Sequence, residues 1–77
     1  MDTLDNLEIG NKCIIKRLEN NDDIKRRFLD IGLIPGTVVE CLFKSPFGDL
    51  SAYDIRGCVM AIRNSDAKNI LIEGYYE

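Results

Sequence analysis

Residues 26–36, RRFLDIGLIPG, decide the fold of this 77-residue chain, because they combine a helix end, a stop and a turn. Ile24, Phe28 and Ile31 recur at helical spacing and predict an apolar stripe along one helix face. Gly32 follows the stripe, where a helix commonly ends on a residue with positive φ. The stretch therefore predicts a helix that runs to about residue 31.

The residues after Gly32 predict a turn that leads directly into a strand. Leu33 is placed to fold back onto the last helical turn, and Pro35 cannot continue a helix. Pro35-Gly36 suits the two central positions of a type II turn. The β-favouring run 37–43, TVVECLF, begins at once.

On both sides of this stretch, turn residues divide the rest of the chain into short strands. Asn21 or Asp22 can cap the helix, and Arg56-Gly57 predicts a two-residue hairpin turn. The expected order is a lead-in at 1–10, strand 12–18, the helix, strands 37–44, 50–55 and 58–63, a helical turn within 64–69, strand 70–73 and a loose tail at 74–77. The prediction is a single mainly β domain, a five-stranded barrel with one inserted α-helix.

Apolar alternation indicates which side chains form the core. Leu4, Leu7 and Ile9 are expected to tuck under the barrel, and two strands alternate with Val39, Cys41 and Phe43, or with Cys58, Met60 and Ile62, on one face. Cys41 and Cys58 are therefore expected in the core, while Cys13 is ambiguous.

Composition narrows the function. The net charge is −3, which argues against nucleic-acid binding. The basic run at residues 25–27 is explained as a solvated helix face, with Asp22 and Asp23 each four residues before Arg26 and Arg27. An odd, dispersed set of 3 cysteines, with no signal-peptide or membrane-spanning pattern, predicts reduced thiols and a cytoplasmic location.

Side chains for chemistry are scarce. The chain has 0 histidines, so it lacks the commonest general base and metal ligand, and no nucleotide-binding glycine motif is present. We expect no enzymatic activity, no cofactor and no metal site.

Five motifs in register resemble the FeoA family of small SH3-like domains. They are Leu29-Asp30-Ile31-Gly32-Leu33 with Pro35-Gly36, then 45–49, 61–63, Ala67 and 70–72. Phe47 stands where the family usually has a short, small or polar residue. The resemblance covers nearly the whole chain, and it implies an SH3-like barrel associated with bacterial ferrous-iron uptake.

The resemblance further implies a cytosolic accessory protein that docks onto the FeoB-type permease, which has a cytosolic GTP-binding domain. The membrane would be approached only through that partner. An exposed apolar residue on a rigid turn with a basic rim suits protein docking, although capped helices also commonly bury the residue after the glycine. The candidate partner-binding residues are Arg26, Arg27, Leu33, Ile34, Pro35 and Phe47.

Two further hypotheses remain open. Similar SH3-like domains are appended to metal-dependent repressors, so the chain could instead be a metal-linked sensor module. Exposed edges of a partly open barrel can pair between copies, which would give a weak homo-oligomer.

Overall fold

A computed structural model describes residues 2–74, which form one antiparallel sheet with two helices. The strands are β1 (Asp2–Thr3), β2 (Lys12–Leu18), β3 (Val38–Lys44), β4 (Leu50–Ile55), β5 (Cys58–Arg63) and β6 (Ile70–Gly74). The helices are α1 (Asp22–Asp30) and α2 (Asn64–Ala67), and a 3₁₀ turn covers Leu4–Asn6. The part of the predicted tail at 75–77 lies outside the described residues. No helix in residues 2–74 is long and apolar enough to cross a membrane.

The sheet contains six strands in the order β1-β6-β2-β3-β4-β5. The five predicted strands are all present as β2 to β6, with the single helix and the short helical turn in the expected places. The prediction of a five-stranded barrel missed β1, a two-residue strand of the lead-in that pairs with β6. Among the described residues the pairing is open, so β1 and β5 each have one neighbouring strand.

The core lies on the inner face of the curled sheet, beneath the lead-in and α1. Tyr53 is fully buried, and its hydroxyl donates to the Leu4 carbonyl at 3.3 Å. This hydrogen bond connects the lead-in to the middle of β4. The other buried apolar residues are Leu4, Leu7, Cys13, Ile15, Leu18, Phe28, Leu33, Val39, Cys41, Ile55, Ile62, Ala67, Ile70 and Ile72.

Three core positions expected in the lead-in and the strands are wrong. Ile9 is exposed, although Leu4 and Leu7 are buried as predicted. Phe43 is 56% exposed, because the β3–β4 register shifts between Cys41 and Phe43 and turns the rest of β3 over. Cys58 is exposed at the start of β5, an edge strand.

Candidate functional site

The site centres on the end of α1, which closes as the sequence predicts. Gly32 has φ +96° and donates to the Leu29 carbonyl at 3.1 Å, while Leu33 donates to the Phe28 carbonyl at 3.0 Å. These two bonds form a Schellman motif, which satisfies the last helical carbonyls. At the other end of α1, the Asn21 side chain accepts from the Ile24 amide at 3.0 Å, so Asn21 is the cap.

The chain then makes the predicted type II turn. Gly36 has φ +93°, and the Thr37 amide donates to the Ile34 carbonyl at 3.1 Å. The turn is also fixed to β2, since Gly36 donates to the Ile15 carbonyl at 2.7 Å and Ile15 donates to the Thr37 carbonyl at 2.8 Å. The Thr37 hydroxyl bonds back to the Gly32 carbonyl at 3.1 Å. Hydrogen bonds within the turn, to β2 and to Gly32 therefore fix its conformation.

The two apolar residues between the glycines separate. Leu33 is 0% exposed and lies in the core, so the residue after Gly32 closes the fold. Ile34 is 38% exposed and faces solvent. Ile31 was predicted on the buried stripe but is also exposed, because α1 ends at Asp30 and Ile31 is already the cap. The buried helix contact consists of Phe28, with Ile24 packed partly against the core.

Arg56, which the sequence analysis did not select, completes the site. It has φ +54°, and it is the non-glycine residue with positive φ among residues 2–74. Its side chain crosses Gly32 so closely that a Cβ there would lie 3.2 Å from the Arg56 Cδ. A hollow of about 520 Å³ is lined by Ile34, Pro35, Gly36, Thr37, Val38 and Arg56. We call the side chains of Ile34, Pro35, Val38 and Arg56 the turn surface.

The turn surface combines exposed apolar area with a free charge. Val38 is exposed beside Ile34, and Pro35 lies at the apex of the turn. Within residues 2–74, the side chain of Arg56 forms no hydrogen bond or ion pair. Arginine next to fixed apolar side chains is typical of the residues that dominate binding energy in protein interfaces.

Arg26 and Arg27 are exposed on α1, and the predicted ion pairs to Asp22 and Asp23 are absent. Ion pairs that the structure does show within residues 2–74 are Lys16–Glu73 and Arg17–Glu19, both away from α1. Arg27 lies one helical turn before Ile31, so the two side chains are neighbours at the end of α1. Arg26 lies on the side of α1 that faces away from the buried Phe28.

Phe47 lies at a different end of the molecule. It is 92% exposed in the loop between β3 and β4. Val38 starts β3 at the turn surface, and Lys44 ends it at this loop, so the two places are about 20 Å apart along the strand. The sequence-predicted residues therefore form two separate surfaces, with Phe43 exposed near the second.

Two of the three thiols, Cys13 and Cys41, are buried, and Cys58 is exposed. Burial, with a smaller contribution from Cys41, raises the pKa of Cys13 to about 12, and burial also raises the pKa of Cys41. Both thiols are therefore protonated at neutral pH. In residues 2–74 no group of three cysteine, aspartate or glutamate side chains that could hold a metal ion is found.

A family model supplies the identification, since the FeoA domain model matches residues 3–74. The chain belongs to the FeoA family. This confirms the family that the sequence motifs indicated. No curated protein sequence matches the chain.

Solved FeoA structures have the same fold. A FeoA-like protein from Clostridium acetobutylicum is 32% identical, with 97% of this chain and 87% of that chain covered and a TM-score of 0.86. FeoA from Chlorobium tepidum is 23% identical over 97% and 71% of the two chains, with a TM-score of 0.94. FeoA from Stenotrophomonas maltophilia, an SH3 domain protein solved with zinc, is 26% identical over 95% and 91%, with a TM-score of 0.78. The SH3-like fold is thus confirmed.

The fold also occurs in a regulator. The match to a manganese-dependent transcriptional repressor covers 96% of this FeoA chain and 41% of the repressor chain, with a TM-score of 0.85 and 17% identity. At this identity the likeness concerns the fold alone.

Proposed function

We propose that this FeoA protein is a cytoplasmic accessory factor of ferrous-iron uptake that docks onto the FeoB-type permease through the turn surface. The FeoA family membership supports the transport role, and S. maltophilia FeoA is itself a candidate ferrous iron transport activating factor. The observation that carries the docking site is the rigid turn on which Ile34, Pro35 and Val38 are exposed beside the unpaired Arg56. We expect the protein to bind and to perform no catalysis.

The rigidity of the turn favours binding. Its conformation is fixed in the free protein by bonds to Ile15 and Gly32, so a partner would not have to order it. Ordering an interface side chain costs about 0.5–1.5 kcal/mol, and a preformed surface avoids part of that cost. Leu33 supports the surface from below and is not proposed to contact the partner.

The charge of the surface indicates the chemistry of the partner. Arg56, with Arg27 beside Ile31, would pair with an aspartate or glutamate of the permease, while Ile34 and Val38 would cover one of its apolar side chains. A planar guanidinium can bind a carboxylate with two hydrogen bonds, which gives geometric specificity. Phe47 would be a second contact, because a nearly fully exposed aromatic side chain has no packing role here.

The test is a titration of isotope-labelled protein with the soluble GTP-binding domain of the permease, followed by amide chemical shifts. We expect saturable shifts at residues 31–38 and 56. Arg56→Asn removes the guanidinium and suits the positive φ of that turn position, so it should fold normally and weaken binding about tenfold.

Lys68→Asn is the matched control, since Lys68 is exposed after α2, away from the turn surface. Equal affinity of both variants would exclude Arg56 from the interface. An absence of shifts with folded protein would remove the GTP-binding domain as the partner. Shifts confined to residues 45–49 would move the interface to the Phe47 loop.

A second candidate function is a metal-linked regulatory module, which the fold of the manganese-dependent repressor favours. It differs from docking in requiring a stoichiometric metal site. Calorimetric titration with Mn²⁺, Fe²⁺ and Zn²⁺ under reducing conditions separates the two. Saturation at one ion per chain would favour the regulatory module, and heats no larger than dilution would favour the accessory factor.

A further inference from the structure

Strand β5 is an edge strand without the usual protection against pairing. Edge strands are commonly guarded by lysine, proline or a bulge. Residues 58–62 of β5, CVMAI, contain no charge and no proline, and the β4–β5 register runs without a shift from Cys58 to Arg63. Val59 is 70% exposed, and Ala61 is exposed as well. This edge is suited to accept another strand.

The ladder shows which backbone groups of β5 are free. The Asn64 amide donates to the Asp49 carbonyl at 2.9 Å, so the pair 49–64 is hydrogen-bonded. Antiparallel pairs alternate between bonded and non-bonded, so Cys58, Met60 and Ile62 bond to β4. The amides of Val59, Ala61 and Arg63 therefore point to the open edge, together with the carbonyls of Val59 and Ala61.

We infer that β5 pairs antiparallel with β5 of a second copy of this chain, with Ala61 opposite Ala61. In this register the amides of Ala61 and Arg63 face the free carbonyls of Ala61 and Val59 of the second copy, and Val59 lies opposite Arg63. The inference does not depend on the permease.

Charge complementarity favours the same register. On the outer face, Glu40, Asp54 and Val59 lie side by side on β3, β4 and β5. Arg63 of the second copy would continue this row, two strand spacings from Asp54, or about 10 Å between Cα atoms. An arginine and an aspartate side chain can cover that span across Val59. The two-fold axis forms the pair twice, and neither Asp54 nor Arg63 has an ion pair within residues 2–74.

The other edge of the sheet does not offer an alternative. Strand β1 has two residues, Asp2 and Thr3, and both are paired with β6. A head-to-tail contact between β5 and this edge would therefore have almost no ladder. Two copies joined through β5 form a closed, symmetric contact, which is the commonest arrangement of soluble oligomers.

Sedimentation equilibrium of the full chain at concentrations up to the millimolar range tests the inference. We expect a reversible dimer whose dissociation constant rises with salt, because part of the contact is ionic. Ala61→Pro removes the central amide without removing a bond to β4, and it should weaken the dimer at least tenfold. Ala61→Val keeps the amide and should dimerise. A chain that stays monomeric at millimolar concentration, or equal dissociation constants for the two variants, would overturn the inference.

A charge exchange tests the register without proline. Arg63→Glu and Asp54→Lys should each weaken self-association, because like charges then meet across the axis. Their mixture restores both opposite-charge pairs and should form a heterodimer. Asp54 also accepts from the Gly57 amide at 3.0 Å, so circular dichroism must show that Asp54→Lys is folded. Weakening by Arg63→Glu with no recovery in a mixture of folded proteins would overturn the proposed register.

Discussion

Substituting the two glycines of the turn separates backbone strain from side-chain contact. Gly32 and Gly36 have nearly the same φ, +96° and +93°. A Cβ at Gly36 would meet nothing within 4 Å, whereas a Cβ at Gly32 would lie 3.2 Å from the Arg56 Cδ. Alanine at either position therefore carries the same conformational penalty, and Gly32→Ala alone adds a contact with Arg56.

The expected losses follow from these geometries. A left-handed conformation costs an L-residue roughly 1–2 kcal/mol, and alanine recovers about 0.4–1 kcal/mol by restricting the unfolded chain. Gly36→Ala should thus lower the free energy of unfolding by about 1 kcal/mol. Gly32→Ala should lose about 0.5–1.5 kcal/mol more if Arg56 must leave its rotamer. For a domain of this size, 1 kcal/mol corresponds to a fall in Tm of roughly 4–8 °C.

Urea denaturation followed by circular dichroism measures these free energies, and Arg56→Ala completes a double-mutant cycle. In the Arg56→Ala background the two glycine variants should become equally stable, because the added contact is gone. Equal losses in the wild-type background would refute the packing of Arg56 over Gly32. If both glycine variants had the wild-type free energy of unfolding, the expected penalty for positive φ would be refuted.

Three other changes have definite expected results. Leu33→Ala should cost about 2–5 kcal/mol, because Leu33 is 0% exposed, while Ile34→Ala should cost much less, and urea denaturation would contradict this if the losses were equal. Burial raises the pKa of Cys13 from 9.0 and of Tyr53 from 10.0, each to about 12. The unfolded forms of these groups lose their protons first, so the free energy of unfolding should be complete below pH 9. It should fall toward pH 12 by about 1.4 kcal/mol per pH unit for each group, and a flat alkaline profile would contradict this. Arg56→Asn should keep or raise Tm by relieving the positive φ, and a clear fall in Tm would show that the arginine side chain stabilises the fold.

The turns were predictable because each depends on neighbouring residues. Gly32, Gly36 and the Arg56-Gly57 pair have the positive φ values that their positions require. Local sequence therefore gave the ends of α1, the start of β3 and the β4–β5 hairpin. The alternation of side chains between the two faces of a strand, by contrast, continues only while the register with the neighbouring strand is unbroken.

The errors have a non-local cause. The shift after Cys41 depends on how β3 meets β4, so the sequence of β3 alone placed Phe43 in the core. Arg56 joins the turn surface through a contact with Gly32, 24 positions earlier, which no local pattern indicates. The sequence allowed Ile34 to be proposed as exposed. The hydrogen bonds of the Schellman motif were needed to decide that Ile34, and not Leu33, faces solvent.

The two proposed contacts are compatible, and their geometry gives a testable stoichiometry. With Ala61 at the two-fold axis, the two Gly57 residues would lie eight positions apart along the paired strands, or about 26 Å. The turn surfaces beside Gly57 would then face opposite ends of the dimer, where each could bind a separate permease domain. Light scattering of the mixture should show two copies of each protein in one complex. Ala61→Pro should leave the affinity for a single soluble domain unchanged but weaken binding to a partner held in pairs, because only a dimer can engage both sites. A loss of affinity for the single domain would instead place β5 within the permease interface.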